Sequence, residues 1–253
     1  MNFRSILVCL SLSVLNGCAV SDNVRSVERG DFGVFERSLN TSLYGYQVVA
    51  DPEGEFLEHP VERFEVRSGD CSSNNGWSDC DNDRERSEIR ELLTRENEGT
   101  SVWYGWNLYV PPDWPTVFPT KTVLGQFHQN RSHPVWMFLH LEGGLYLDDQ
   151  SLGFSSRRVP LIKKNKFSGQ WHRIEVHAKW SRDESGFFRV FIEGENVFDH
   201  QGTTMTADSV YFRYGVYRSY LSRFKTATGR DAVPTQIAYY TNVRKSQTQL
   251  GLR

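Results

Sequence analysis

Three short segments carry side chains whose types and spacing suit proton chemistry. They are Glu85-Arg86-Ser87-Glu88-Ile89-Arg90, Gly125-Gln126-Phe127-His128-Gln129 and Tyr211-Phe212-Arg213-Tyr214-Gly215-Val216-Tyr217-Arg218. In each, polar groups recur every second residue, and residues two apart in a strand share a face. Arg86, Glu88 and Arg90 then line one surface, Gln126 and His128 a second, and Tyr211, Arg213 and Tyr217 a third. Set side by side, these strands bring guanidinium, amide, imidazole and phenol groups into one groove. The first two offset a carboxylate's charge, and the last two exchange protons. That set suits removal of a proton beside a uronate carboxylate. Taken singly, each group has a plainer reading. Arg86, Glu88 and Arg90 suit an exposed salt-bridged strand, His128 a structural histidine, and Tyr211 and Tyr217 core or rim aromatics. Their joint occurrence points to chemistry.

The elements that must position these groups read as strands. Ser101–Val110 is long, aromatic and β-rich, and stops at Pro111-Pro112, which cannot continue a ladder. Val135–Glu142 ends at Gly143-Gly144, with Leu145–Leu147 as its hairpin partner. Trp171–Trp180 alternates strictly, turns through Ser181–Gly186, and returns as Phe187–Glu193 and then Asn196–Phe198. Phe64–Arg67 and Gln236–Arg244 complete the set. No segment has a convincing long helical period; Glu88–Thr94 is the one stretch that also fits a helix. The pattern predicts an all-β, two-sheet sandwich of jelly-roll, concanavalin-like form.

A chain of 253 residues with 38% hydrophobic content can build a sizeable core as one unit. The net charge of -2 argues against a general nucleic-acid binder, while a local basic groove remains open to a polyanion. No Gly-rich phosphate loop, nucleophile elbow or HExxH is present. His172 and His177 alternate to opposite faces of one strand, which argues against a shared metal. Asp148-Asp149 reads as a turn, with a structural calcium as the alternative. Lys163-Lys164-Asn165-Lys166 reads as a solvated loop that could also grip an anionic chain.

The N-terminus reads as a targeting segment. Arg4 precedes the apolar stretch Ile6–Leu15, too short for a membrane span. Leu15-Asn16-Gly17-Cys18 resembles a bacterial lipobox, with Cys18 as the lipidated residue; ordinary secretory cleavage nearby is the rival reading. The expectation is an exported protein of a Gram-negative bacterium: an outer-membrane lipoprotein, or a periplasmic or cell-surface protein. Its contact with membrane would be through the lipid anchor alone. Residues 1–18 would be the signal, 19–38 a polar tether or loosely docked arm, and 39–253 the folded domain. Export gives Cys71 and Cys80 meaning as a disulfide. Closing so short a loop stabilises by roughly 2–3 kcal/mol in the chain-entropy model. The loop leads straight into the Arg84–Arg90 strand.

The series Arg-Ser-Glu-Ile-Arg, Gln-Phe-His and Tyr-Phe-Arg-Tyr-Gly-Val-Tyr resembles the signature strands of jelly-roll polysaccharide lyases. The wider pattern is more similar to the heparin lyase I and glucuronan lyase branch than to alginate lyases of the same fold. The pieces that suggest this are the cysteine loop ahead of Asp83–Arg86, Gly169–His172, Lys179–Ser181, Phe191–Gly194 and Ala238–Val243. The resemblance covers roughly residues 60 to 245. It implies β-elimination at a uronate: a proton leaves C5, the glycosidic bond at C4 breaks, and an unsaturated end results. It implies that Gln126 and Arg86 neutralise the carboxylate, a guanidinium suiting it bidentately. His128 is implied as base or neutraliser. Tyr217 is implied as the acid and also as a candidate base, with Tyr211 its rival. Arg213 stands where relatives carry lysine. Arg90, Arg213, Arg218 and Glu88 are expected to bind substrate, and the chemistry requires no cofactor.

The leading expectation is therefore a lyase acting on a glucuronan- or heparin-like polysaccharide, with alginate second. A non-catalytic, lectin-like jelly roll that binds acidic polysaccharide is the alternative from another class. A sandwich glycoside hydrolase ranks last, because it needs paired carboxylates and the Glu-x-Asp-x-x-Glu strand is absent.

Overall fold

A computed structural model describes residues 23–24, 27–92, 95–151 and 157–253. The expected signal segment, Cys18 and its lipidation lie outside the described residues. In chain order the strands begin with β1 (Asn23–Val24), β2 (Phe35–Arg37), β3 (Tyr46–Val49), β4 (Val61–Val66), β5 (Ser73–Asn74) and β6 (Trp77–Ser78). They continue with β7 (Arg84–Glu91), β8 (Glu96–Asn97), β9 (Ser101–Tyr109), β10 (Lys121–Gln129), β11 (Pro134–Leu141) and β12 (Gly144–Asp149). The last are β13 (Arg157–Ile162), β14 (Trp171–Lys179), β15 (Phe187–Ile192), β16 (Glu195–Gln201), β17 (Ser209–Ser219) and β18 (Gln236–Ser246). The α-helix α1 (Leu221–Thr228) follows β17, and a short 3-10 helix (Gln249–Leu252) follows β18.

Two antiparallel sheets face each other, which makes the fold the expected β-sandwich jelly roll. The first runs β1-β2-β7-β17-β10-β11-β12-β13, with β8 added along β17; the second runs β16-β15-β14-β9-β18-β4-β3. Alternation explains the layering. On β17, Phe212, Tyr214 and Val216 point into the core, and on β14 Ile174, Val176 and Ala178 do the same from the opposite side. Large rings fill the space between. Trp136 stacks on Phe188 at 4.2 Å, and Phe127 packs against Tyr104, Trp180 and Phe212. Offset and edge-on packing of this kind adds to the burial of the rings.

The three signature strands are neighbours, in the order β7-β17-β10. Register places Arg86 opposite Tyr217 and Arg90 opposite Arg213. It places Gln126 opposite Arg213 and His128 opposite Tyr211. A bulge interrupts this ladder: Val123 faces Tyr217, yet Gly125 faces Tyr214. Gly215 sits in the bulge with φ 127. A Cβ there would meet Phe64 Cδ1 at 2.8 Å and the Glu88 Cα at 2.9 Å, so glycine is required. From the second sheet, the buried Tyr240 hydroxyl reaches the Leu124 carbonyl at 2.6 Å and the Gly215 carbonyl at 2.8 Å. It pins the bulge from below.

Several expectations are corrected. The described part of segment 19–38 is packed rather than tethered. Phe32 and Phe35 enter the core, and Arg29 pairs with the buried Glu62 and donates to the Tyr214 hydroxyl at 3.0 Å. Aromatic burial and a satisfied buried charge outweigh the polar composition that suggested an arm. Asp148-Asp149 ends β12 rather than turning. The alternative helix at Glu88 is strand β7. The helix α1 has only eight residues, too short for a persuasive period in the sequence. Asp83, from the loop ahead of β7, accepts from the Ser222 N–H at 3.1 Å and its hydroxyl at 2.7 Å, satisfying the start of α1. No helix among the described residues is long and apolar enough to cross a membrane.

Candidate active site

The exposed face of β7, β17, β10 and β11 floors a groove of about 560 Å³. Arg84, Arg86, Arg90, Lys121 and Arg213 line it, as do His128 and His133, and no carboxylate among the described residues does. Gln126, Tyr217, Val123 and Met137 complete the floor, and Trp77 and Tyr220 stand at one end. Such a surface draws a polyanion. A second hollow of about 530 Å³, on the far side of the other sheet, is lined by both signs of charge: Glu55, Glu175 and Glu193 with Arg173 and Arg253.

Glu88 is the hub beneath the floor. It is buried, accepts from the Gln126 amide, and lies 3.3 Å from Arg86 Nη1 and 3.5 Å from Arg213 Nη1. A carboxylate only accepts hydrogen bonds, so Gln126 must turn its nitrogen toward Glu88. The second N–H of that nitrogen has no partner among the described residues. This corrects the expectation that Glu88 binds substrate: it does not line the groove but holds three side chains that do.

Arg86 is buried and almost fully engaged. Its Nε and Nη2 grip Asp79 side-on at 2.5 and 2.6 Å, and its Nη1 reaches Ser38 Oγ at 3.2 Å as well as Glu88. Of five N–H bonds, one on Nη2 stays free. The expected bidentate clamp on a substrate carboxylate is therefore corrected, because Asp79 already occupies that edge. Burial works against the Arg86 charge, but the bonds to Asp79 and the charge of Glu88 prevail and raise its pKa.

His128 Nδ1 lies 2.9 Å from the Gln129 carbonyl and 3.3 Å from the Tyr211 hydroxyl. A carbonyl only accepts, so Nδ1 carries the proton and Nε2 holds a lone pair. Nε2 has no hydrogen-bond partner among the described residues. Burial, followed by the positive charge of Arg213, pushes the imidazole down to about 3, so it is neutral at ordinary pH.

The two tyrosines differ. Tyr211 is buried, accepts from Arg213 Nη2 at 2.6 Å, and lies beside His128 rather than on the groove surface. Tyr217 lines the groove, with the Arg86 guanidinium 4.5 Å from its ring centre. Its hydroxyl has no partner among the described residues. Burial pushes its pKa up while Arg86 and Arg84 pull it down, and the net direction is upward. At neutral pH it is a proton donor.

Of the remaining expected residues, Arg90 lines the groove and is held at 2.5 Å by Glu36. Arg218 does not reach it. Its side chain is fully buried, pairs with Glu85 and donates to the Pro234 carbonyl at 2.5 Å. It points to the core side because it is one residue out of phase with Tyr217. The expected Cys71–Cys80 disulfide is present, with Cα atoms 5.0 Å apart. Asp148 is occupied by Lys121 and Gln150 at 3.3 and 3.1 Å. Among the described residues no group of three or more His, Cys, Asp or Glu is placed to hold a metal ion.

The sequence reading missed Asp79, Lys121 and Tyr240. The bulge at Leu124-Gly125 hides Lys121: simple alternation sets it on the face opposite Gln126, whereas both line the groove.

Comparison with known proteins agrees with this architecture. The polysaccharide lyase family model matches residues 29–244. A search of curated proteins by sequence finds no match. The endo-β-1,4-glucuronan lyase of the fungus Trichoderma reesei superposes with a TM-score of 0.59 at 17% identity, covering 88% of this chain and 94% of that one. The alginate lyase A1-II' gives 0.58 at 12% identity, covering 85% and 94%. The marine family 7 alginate lyase AlyA1 of Zobellia galactanivorans gives 0.51 at 14% identity, covering 81% and 85%. At such identities the superpositions speak for the fold, and the family match spans most of the chain: this protein belongs to the polysaccharide lyase family.

Proposed function

We propose that this enzyme is an exported lyase that cleaves a uronate-containing polysaccharide, glucuronan- or heparin-like, by β-elimination. One observation carries the reading: among the described residues, a neutral imidazole with a free Nε2 and a protonated, unpartnered phenol share a groove lined by five cations and no carboxylate.

The uronate carboxylate is received by the free Gln126 N–H and the remaining Arg86 N–H, with Arg213 adding charge. Delocalising the negative charge that develops at C5 onto this carboxylate lowers the barrier to proton loss. His128 Nε2 takes the C5 proton; the negative charge of the bound uronate offsets the burial and the Arg213 charge that hold the imidazole down in the free enzyme. The C5–H electrons form the C4=C5 double bond, the C4–O bond breaks, and the Tyr217 hydroxyl protonates the leaving oxygen. The tyrosinate then recovers a proton from His128 directly or through water. Tyr211 supports His128 and Arg213 and takes no part in the transfer.

The substrate assignment rests on facial chemistry. His128 and Tyr217 rise from the same sheet, so base and acid approach the sugar from one side. A D-glucuronate presents H5 and O4 on one face, whereas L-iduronate and L-guluronate present them on opposite faces. Glucuronan and the glucuronate units of heparin-like chains therefore fit; the D-mannuronate of alginate, which also presents H5 and O4 on one face, is the second choice. The purified enzyme, incubated with each polymer, should raise ultraviolet absorbance on a glucuronate polymer first. Tyr217→Phe and His128→Ala should each lose about 10²–10⁴-fold in turnover while polymer binding survives. Full activity in both variants removes this mechanism. Binding by the wild type with no unsaturated product on any polymer favours the lectin-like alternative.

A further inference from the structure

The proposed mechanism leaves one buried carboxylate at the edge of the groove without a role. Asp79 is wholly buried in the loop closed by Cys71–Cys80. Its backbone is fixed on both sides. The N–H donates to the Ser72 carbonyl at 2.9 Å, and the carbonyl accepts from Arg84 N–H at 2.9 Å. The side chain faces Arg86 edge to edge: Oδ2 takes Nε at 2.5 Å and Oδ1 takes Nη2 at 2.6 Å. Oδ1 also accepts the Trp77 indole N–H at 2.8 Å. Trp77 is 43% exposed and lines the groove. One short hairpin, β5 and β6, thus builds a groove wall and holds an arginine of its floor.

We propose that Asp79 is the positioning residue for Arg86, and that the disulfide loop serves to deliver it. This rests on the reading of Arg86 as a carboxylate-neutralising group. A guanidinium gripped side-on by a fixed carboxylate can neither rotate nor translate, so its one free Nη2–H keeps a fixed aim. Without Asp79, Arg86 keeps hydrogen bonds only through Nη1, to Ser38 and Glu88, beside its contact with the Tyr217 ring. It is then free to swing toward Glu88, which carries the charge nearest to it. Arg86 would turn from the substrate toward the hub that holds Gln126 and Arg213. Displacement of about 1 Å in such a group is worth on the order of 10²-fold in rate. Charge remains in the groove, so attraction of the polymer changes less than turnover.

A double-mutant cycle on the full-length enzyme tests this with the best-cleaved uronate polymer. Asp79→Asn should lower kcat about 10- to 100-fold and move KM less than about threefold. Arg86→Gln should lower kcat at least as far. In the Arg86→Gln background, Asp79→Asn should change kcat less than about twofold, because a residue acting through Arg86 has nothing left to position. Fully additive losses, or a wild-type kcat in Asp79→Asn beside an inactive Arg86→Gln, overturn the inference and leave the lyase reading standing. A fully active Arg86→Gln instead removes the role of Arg86 and the inference with it. Cys71→Ser/Cys80→Ser covers the case in which Asp79→Asn does not fold. It retains the carboxylate but frees the loop, so kcat should fall several-fold with circular dichroism unchanged. Wild-type kcat in that folded variant overturns the proposal.

Discussion

Acidification should weaken this fold through His128, and the size of the effect follows from its surroundings. Burial and the Arg213 charge push its imidazole down to about 3, against 6.5 for an exposed histidine. Between those values the unfolded chain binds a proton that the folded protein refuses, so stability falls as pH falls. Each pH unit in that window costs about 1.4 kcal/mol. From pH 6.5 to pH 4 the loss attributable to His128 is roughly 3 kcal/mol. His140, pushed down to about 4 by burial, adds a loss in the same direction, so a control is needed. Urea unfolding of the wild type and His128→Gln at pH 7 and pH 4, followed by tryptophan fluorescence, isolates the contribution. The drop in unfolding free energy should be smaller in the variant by about 3 kcal/mol. Equal drops would refute the reasoning. The same shift governs activity. Because kcat/KM reports ionisations of the free enzyme, it should show no acidic limb near pH 6.5. A limb there would mean that His128 titrates normally and is less enclosed than the structure shows.

Three substitutions test the scaffold. Tyr240→Phe removes the hydroxyl that reaches the Leu124 and Gly215 carbonyls, so about 2 kcal/mol should be lost in urea unfolding. A change below about 0.5 kcal/mol would show that the bulge does not depend on it. Gly215→Ala places a methyl against Phe64 and Glu88 at φ 127, and should cost about 3 kcal/mol or more; wild-type thermal stability would count against the bulge geometry. Arg218→Met strands the buried Glu85 and should cost about 3–5 kcal/mol, while the KM of the folded fraction should stay unchanged because Arg218 does not reach the groove. A raised KM there would restore its expected binding role.

Much of this was legible in the residues. Period-two alternation holds through β7, β14 and β17, so Arg86, Glu88, Arg90, Tyr211, Arg213 and Tyr217 fall on the expected face. Turn residues marked most of the long strands. What stayed hidden depended on contacts between distant segments. The bulge that brings Lys121 beside Gln126 has no local signature beyond a glycine. Asp79 is seven residues from Arg86, and only the closed loop turns it back on that side chain. Arg218 is the exception: its place one residue out of phase with Tyr217 already sets it on the core side, while its buried partner Glu85 comes from another strand. The polar stretch before Val34 looked free because its anchors, Glu62 and Tyr214, come from strands far along the chain.

The most direct test of the account is ultraviolet absorbance of the purified enzyme acting on glucuronan, heparan sulfate, heparin, alginate, hyaluronan, pectate and ulvan in separate incubations, with Tyr217→Phe run alongside. The account predicts rising absorbance on a glucuronate polymer, carried by unsaturated uronate ends, and its near-complete loss in the variant. Cleavage that yields saturated ends, or undiminished elimination by Tyr217→Phe, would contradict it.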